Sequence, residues 1–219
     1  SKDIELDPYD EDILDKFIES PNLMFLKDNI QYETQLTYRL GYDIISQRIT
    51  VPWRYTDGTL AGVMGRINQY DTEDMAKWLP IHPFPKSCCL FGFSENYTDI
   101  LHHKKVIITE SEKGVMQLDS MGIKYGLSNG GSYLSENQVD YINALRPREI
   151  IIAYDEGLTE EHLYRQAEKF KGNSIFTKTK IGYIYDKDNI YLAKGEKQSP
   201  TDLGFVLFDE LRRSYVTWI

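Results

Sequence analysis

Three short segments of this sequence carry residues that could do chemistry, and each follows a strand-like run. Glu110 comes after residues 105–109 (KVIIT), Asp155-Glu156-Gly157 comes after 149–154 (EIIIAY), and Ser128-Asn129-Gly130-Gly131-Ser132 closes 123–128 (IKYGLS). A single acid behind a strand is ordinarily a helix cap or a solvated loop residue. Two acids on one sheet edge are different, because their charges repel and a bound cation relieves the repulsion. Hard carboxylate oxygens suit Mg²⁺ or Mn²⁺. Such ions hold triphosphates and stabilise the attacking and leaving oxygens of phosphoryl transfer. The paired glycines at 130 and 131 allow a ligand to approach the backbone closely.

The elements around these segments place them on a common edge. From residue 105 onward the apolar pattern alternates strand, helix, strand, helix, strand, helix (105–109, 112–121, 123–128, 136–145, 149–154, 159–171), which predicts a mainly parallel sheet flanked by helices. EIIIAY is apolar enough to be buried on both faces. Ligands in such sheets sit outside the carboxyl ends of the strands. The tail adds strand-like IGYIYD and a helix over 201–213, opened by the cap Ser199-Pro200-Thr201-Asp202. Upstream, 10–45 reads as helices, DEDILDKFIES and QYETQLTYRL both having helical apolar spacing. RITVPWRY and LAGVMGRI flank Thr56-Asp57-Gly58-Thr59, a hairpin signal. Residues 69–93, with Pro80, Pro83 and Pro85, read as an ordered loop. The expected fold class is α/β and α+β, with an N-terminal mixed subdomain over 1–100 and a sheet-and-helix domain over 101–219.

Composition narrows the function classes. No apolar run approaches the length of a membrane span, and the N-terminus has no secretion signal, so a cytoplasmic location is expected. Adjacent Cys88 and Cys89 are expected to be reduced and inert, and the histidines show no zinc-site spacing. The net charge of −9 disfavours nucleic acid, but residues 1–20 carry −6 of it, which leaves only −3 for the remaining 199. Six basic residues between Arg165 and Lys187 offer either a backbone-binding face or a solvated helix surface.

With those residues in view, the segment 105–171 resembles a TOPRIM domain, in which a glutamate follows the first strand and a D-x-D follows a later one; Glu110 and Asp155 match. Upstream, RITVPWRYTDGTLAGVMGR resembles the primase hairpin R-hydrophobic-x-x-P-x-R…G…G…G-R. KWLP is similar to K-Y-L-x-S-P, and CCLFGFSEN is similar to L-Y-G-L-x-E-A. Four matches in order, covering about residues 30–205, identify the chain as resembling a DnaG-type primase core. The resemblance implies that Arg48, Arg54, Arg66 and Lys77, with Lys86 as a weaker candidate, line the groove for template and nucleotide phosphates, since guanidinium forks grip phosphate bidentately. Asn129 and Gly130 belong to the nucleotide side.

The sequence departs from the family pattern in three places. Gly114 stands where the family has a second aspartate four residues after its glutamate. Asp155-Glu156-Gly157 lacks the second aspartate of D-x-D. The final acidic pair is represented by KGEKQSPTD, which resembles phage-encoded primases and offers Glu196 and Asp202. The implied activity is synthesis of short RNA primers on single-stranded DNA, with Glu110 and Asp155, aided by Glu156 or Asp202, holding Mg²⁺ or Mn²⁺, and no zinc in this chain. The implied partners are single-stranded DNA, ribonucleoside triphosphates and a replicative helicase, in a bacterial or phage-infected cell. The start at Ser1 reads as an excised core that primes weakly without sequence preference. The rivals are a TOPRIM nuclease using the same carboxylates and a non-catalytic replisome module, with a topoisomerase further behind.

Overall fold

The structure, a computed structural model, describes residues 6–19, 21–70, 75–172 and 178–219. Its first sheet is antiparallel in the order β1 (Ile18–Glu19), β2 (Gly41–Asp43), β3 (Arg48–Arg54), β4 (Leu60–Ile67), β5 (Trp78–His82). The Asp-Gly signal gives the β3–β4 hairpin: the Asp57 carboxylate accepts from the backbone N and Oγ1 of Thr59 at 2.9 and 2.6 Å, and Gly58 takes φ +88°. Pro52 is tolerated in β3 because β2 pairs only with Arg48, Ile49 and Thr50, so no ladder bond is lost on that side.

Two expectations upstream change. The stretch from residue 10 is not an α-helix. It is a 3₁₀ turn over Glu11–Lys16, capped by Asp10, and it then pairs with β2 as the edge strand β1. Leu14 is its only buried residue, too little apolar surface to hold a helix against the sheet. The helices that follow are short, α1 (Leu23–Lys27) and α2 (Tyr32–Thr37). The described part of 69–93 is also more ordered than a loop, because Trp78–His82 adds β5 to β4. Pro80 fits there since β5 is the sheet edge.

The second sheet has the order β10-β9-β8-β6-β7, formed by β6 (Lys105–Thr109), β7 (Gly126–Ser128), β8 (Glu149–Ile152), β9 (Lys180–Ile184) and β10 (Val216–Trp218). β6 to β9 are parallel and β10 runs antiparallel to β9. Its helices are α3 (Phe93–His103), α4 (Glu112–Ser120), α5 (Glu136–Ala144), α6 (Glu160–Glu168) and α7 (Gly204–Ser214). α3 and β10 were not expected, and the strand anticipated over 123–128 shrinks to three residues. The tail helix is split: a 3₁₀ turn over Pro200–Leu203 precedes α7, with Gly204 at φ +78° between them. Val106, Ile108, Ile150 and Ile152 pack on one face with Leu163 and Ala167 of α6; Ile107 and Ile151 pack on the other with Phe208 and Leu211 of α7. α4 joins the halves, since its Val115 and Met116 enter the core of the first sheet beside Val51, Trp53 and Phe91. No helix of the described residues is long and apolar enough to cross a membrane.

Candidate active site

β6 lies between β7, formed next along the chain, and β8, formed after it on the opposite side. The crossover after β6 runs to β7 and the one after β8 runs the other way, to β9, and the crevice at such a switch point is where open α/β sheets hold ligands. Glu110 leaves β6 there. Asp155 lies just past β8, whose register with β6 is fixed by Ile108 opposite Ile152 and by the 2.8 Å bond from Ala153 N to Ile108 O. The two carboxyl groups are within hydrogen-bonding reach of each other. Burial and then the Asp155 charge push Glu110 up to about 7. Burial and then Asp202 raise Asp155, against the pull of hydrogen bonds from Ser199 and Glu110. Asp155 Oδ1 is buried with no hydrogen-bond partner. An orphaned carboxylate oxygen facing a second carboxylate is suited to a divalent cation. Among the described residues no three histidine, cysteine or acidic side chains converge as a metal group. A cation held here would have this pair as its protein donors, with water and phosphate oxygens as its other ligands.

The other acids expected to help are engaged elsewhere. Asp202 Oδ1 meets Lys113 Nζ at 3.0 Å and accepts from Gln117 Nε2 at 3.0 Å, while Oδ2 accepts from Ser199 N at 3.0 Å. Glu156 Oε2 accepts from the backbone of Gly195 and Lys197 at 3.0 and 3.2 Å, so it orders the 195–197 loop and not a metal. Its loop brings Lys197 close enough to lower Glu110. Gly114 also gains a physical reason. A Cβ there would meet Thr109 Cβ, Cγ2 and Oγ1 at 2.8 to 2.9 Å, so the first turn of α4 packs too closely on the end of β6 for an aspartate.

Three residues the sequence reading passed over belong to this neighbourhood. Lys113 stands three residues after Glu110, and counting charges across that first helical turn would have flagged it. Asp28, half-buried after α1, is raised by burial while feeling Lys113, Asp202 and Arg66; no local signal marks it. Glu112 is buried and accepts from Trp53 Nε1 at 2.9 Å, tying the hairpin to α4.

The basic residues divide. Arg48 is buried and donates to the carbonyls of Gly65, Lys77 and Ala76 at 3.1, 3.2 and 3.0 Å, so it holds β5 to β4 and cannot line a groove. Arg48→Met should cost about 1–3 kcal/mol in urea unfolding, from carbonyls left unpaired, with single-strand DNA affinity of the folded protein unchanged; a tenfold loss of affinity at full stability would restore the groove role. Arg54 is paired with Glu11 at 2.6 Å, and Glu11 and Asp15 also meet Arg39 at 2.8 and 3.0 Å, so part of the N-terminal acidity is neutralised internally. Arg66 donates to the Ile67 carbonyl at 2.7 Å and its charge acts on Asp28. The Lys77 side chain is exposed. Lys86 lies over Trp53, with its ammonium 5.5 Å from the ring centroid, and passes Gly130, where a Cβ would meet Lys86 Cδ at 2.6 Å. Asn129 shapes that loop, donating to the Gly131 and Tyr133 carbonyls and accepting from Tyr154 Oη at 3.0 Å. In the basic run 165–187, part of which lies outside the described residues, Arg165 pairs with Glu161 and Lys169 donates to the Leu134 carbonyl.

No protein-family model matches the chain. It is 26% identical, over 236 aligned positions, to an uncharacterized SPbeta prophage-derived protein, YorJ, of Bacillus subtilis (strain 168), covering 96% of this chain and 61% of that protein. Among solved structures it resembles the Aquifex aeolicus primase zinc-binding and RNA polymerase domains, with a TM-score of 0.68 at 18% identity, covering 87% of this chain and 53% of that one. The E. coli primase catalytic core superposes with a TM-score of 0.68 at 16% identity over 88% of this chain and 72% of that one. A DnaG primase catalytic domain bound to single-stranded DNA gives 0.66 at 15% over 93% and 75%. The chain thus spans little more than half of two of these relatives.

Proposed function

We propose that this chain, which has the fold of DnaG-type primase catalytic cores, synthesises short RNA primers on a single-stranded DNA template by metal-dependent nucleotidyl transfer. The observation that carries the reading is the orphaned Asp155 Oδ1 beside Glu110 at the switch point of the second sheet. Residues 1–100 would present the template, and 101–219 the nucleotide and metal. Mg²⁺ or Mn²⁺, when bound between the two carboxylates, supplies positive charge to the triphosphate oxygens. Glu110 must give up its proton to serve as a ligand, so affinity for the divalent ion should rise with pH through about 7. Arg66, whose charge reaches Asp28, and Lys197, whose charge reaches Glu110, would hold phosphate oxygens. No side chain acts as nucleophile; the rate comes from alignment and charge. Because the solved relatives include a primase core bound to single-stranded DNA, the same ligand is proposed here, with a replicative helicase as the protein partner.

The test is incubation of the chain with single-stranded DNA, labelled ribonucleoside triphosphates and Mg²⁺ or Mn²⁺. Short RNA products that vanish with EDTA are expected. Nicked plasmid without nucleotides would replace priming with hydrolysis, and template binding without any product would leave a non-catalytic module.

A further inference from the structure

The acids around Lys113 outnumber what one divalent ion needs. Asp202 lies 3.0 Å from the Lys113 ammonium, and that ammonium also acts on the carboxylates of Asp28 and Asp155. One lysine on the first turn of α4 therefore meets Asp202 directly and lends its charge to two further carboxylates from distant parts of the chain. Asp202 Oδ1 is closed to further ligation, since Lys113 and Gln117 take both its lone pairs, and Oδ2 is held by Ser199 N. A second divalent ion beside Asp202 would have to displace the ammonium or sit against it, where like charges repel strongly. Glu110 and Asp155 keep the orphaned oxygen.

We propose that Lys113 is a built-in cation that fills the place of a second metal ion, so that this site takes one divalent ion, between Glu110 and Asp155. The inference rests on the proposed nucleotidyl transfer and specifies its charge balance. In that step the primer 3′-oxygen forms a bond to the α-phosphorus as its proton passes to water. The bond from the α-phosphorus to the bridging oxygen breaks, and pyrophosphate leaves with the electron pair. The ammonium, fixed on the Asp202 side of the crevice, faces the negative charge that collects on that leaving group. It needs no loading from solution, so it acts at any metal concentration.

The experiment counts bound Mn²⁺ on the intact chain by equilibrium dialysis and electron paramagnetic resonance. The unsubstituted chain should bind one ion per molecule. Lys113→Gln, which opens one acceptor position on Asp202 Oδ1 and takes the positive charge away from Asp28, should bind two, the second more weakly, while Lys113→Arg should stay at one. A structural role for Lys113 would move the melting temperature but not the count. Two ions on the unsubstituted chain, or one on a folded Lys113→Gln chain, overturns the inference. The first count keeps the proposal testable even if the substitution prevents folding. The two readings fail separately, because two bound ions with intact primer synthesis sinks only the lysine's role, whereas no bound ion removes the proposed activity along with it.

Discussion

Asp155→Ala should lower primer synthesis by about 10³-fold, the scale of losing a preorganised electrostatic partner of a transition state, while leaving the far-ultraviolet circular dichroism and the cooperative melt intact. Activity and stability part company here because of what Asp155 does in the metal-free chain. Its Oδ1 makes no hydrogen bond, its neighbours Glu110 and Asp202 repel it, and outside the pair only Ser199 and the charge of Lys113 favour its ionised form. Removing it strips the cation of a ligand without opening a core cavity, since the apolar packing on this edge comes from Ile152, Ala153 and Tyr154. Glu110→Gln should behave alike, keeping the shape and losing one anionic oxygen. The readout is the yield of labelled primers at saturating Mg²⁺. A folded Asp155→Ala chain that still primes within tenfold of the original places the chemistry elsewhere.

Glu110 and Asp155 were legible in the sequence because strand periodicity locates the carboxyl ends of β6 and β8, and topology then brings those ends together. The hairpin was legible for a local reason, an Asp-Gly turn between two strand-like runs. Arg48 was not. Its place in a motif says nothing about the room that Gly65 makes: a Cβ at Gly65 would come within 3.0 Å of Arg48 Cδ, so the glycine lets the guanidinium fold inward onto backbone carbonyls. β5 was missed because prolines were counted against structure when one of them could occupy a sheet edge. Asp28 was invisible because only tertiary packing brings it to Lys113. Gly114, which read as a lost carboxylate, marks close packing of α4 on Thr109, and the lysine beside it puts a positive charge where the family pattern led one to expect a negative one.

The second large effect concerns stability without metal. Glu110 has an ordinary value of 4.5 and is pushed up to about 7 in the fold, so between those values the folded chain holds a proton that the unfolded chain has released. The stability this proton confers is complete below about pH 4.5 and is lost as pH rises through about 7. In EDTA the unsubstituted chain should therefore weaken steadily over that window. Asp28, Glu95 and Glu112 are raised too, but they titrate equally in a variant of Asp155, so the difference between two proteins isolates the pair. Asp155→Asn removes one of the two repelling charges. At pH 8 in EDTA it should melt about 2–4 °C above the unsubstituted chain, the equivalent of about 1 kcal/mol at this length, after allowing for screening by solvent. At pH 5 the gap should close. Excess Mg²⁺ should then reverse the order, because an ion that binds only the folded chain stabilises it in proportion to its occupancy, and only the chain with both carboxylates has the site. Melting curves over this grid of pH and metal decide the matter. Should the unsubstituted chain be the more stable of the two at pH 8 without metal, or gain nothing from Mg²⁺, Glu110 and Asp155 do not confront each other across a cation position.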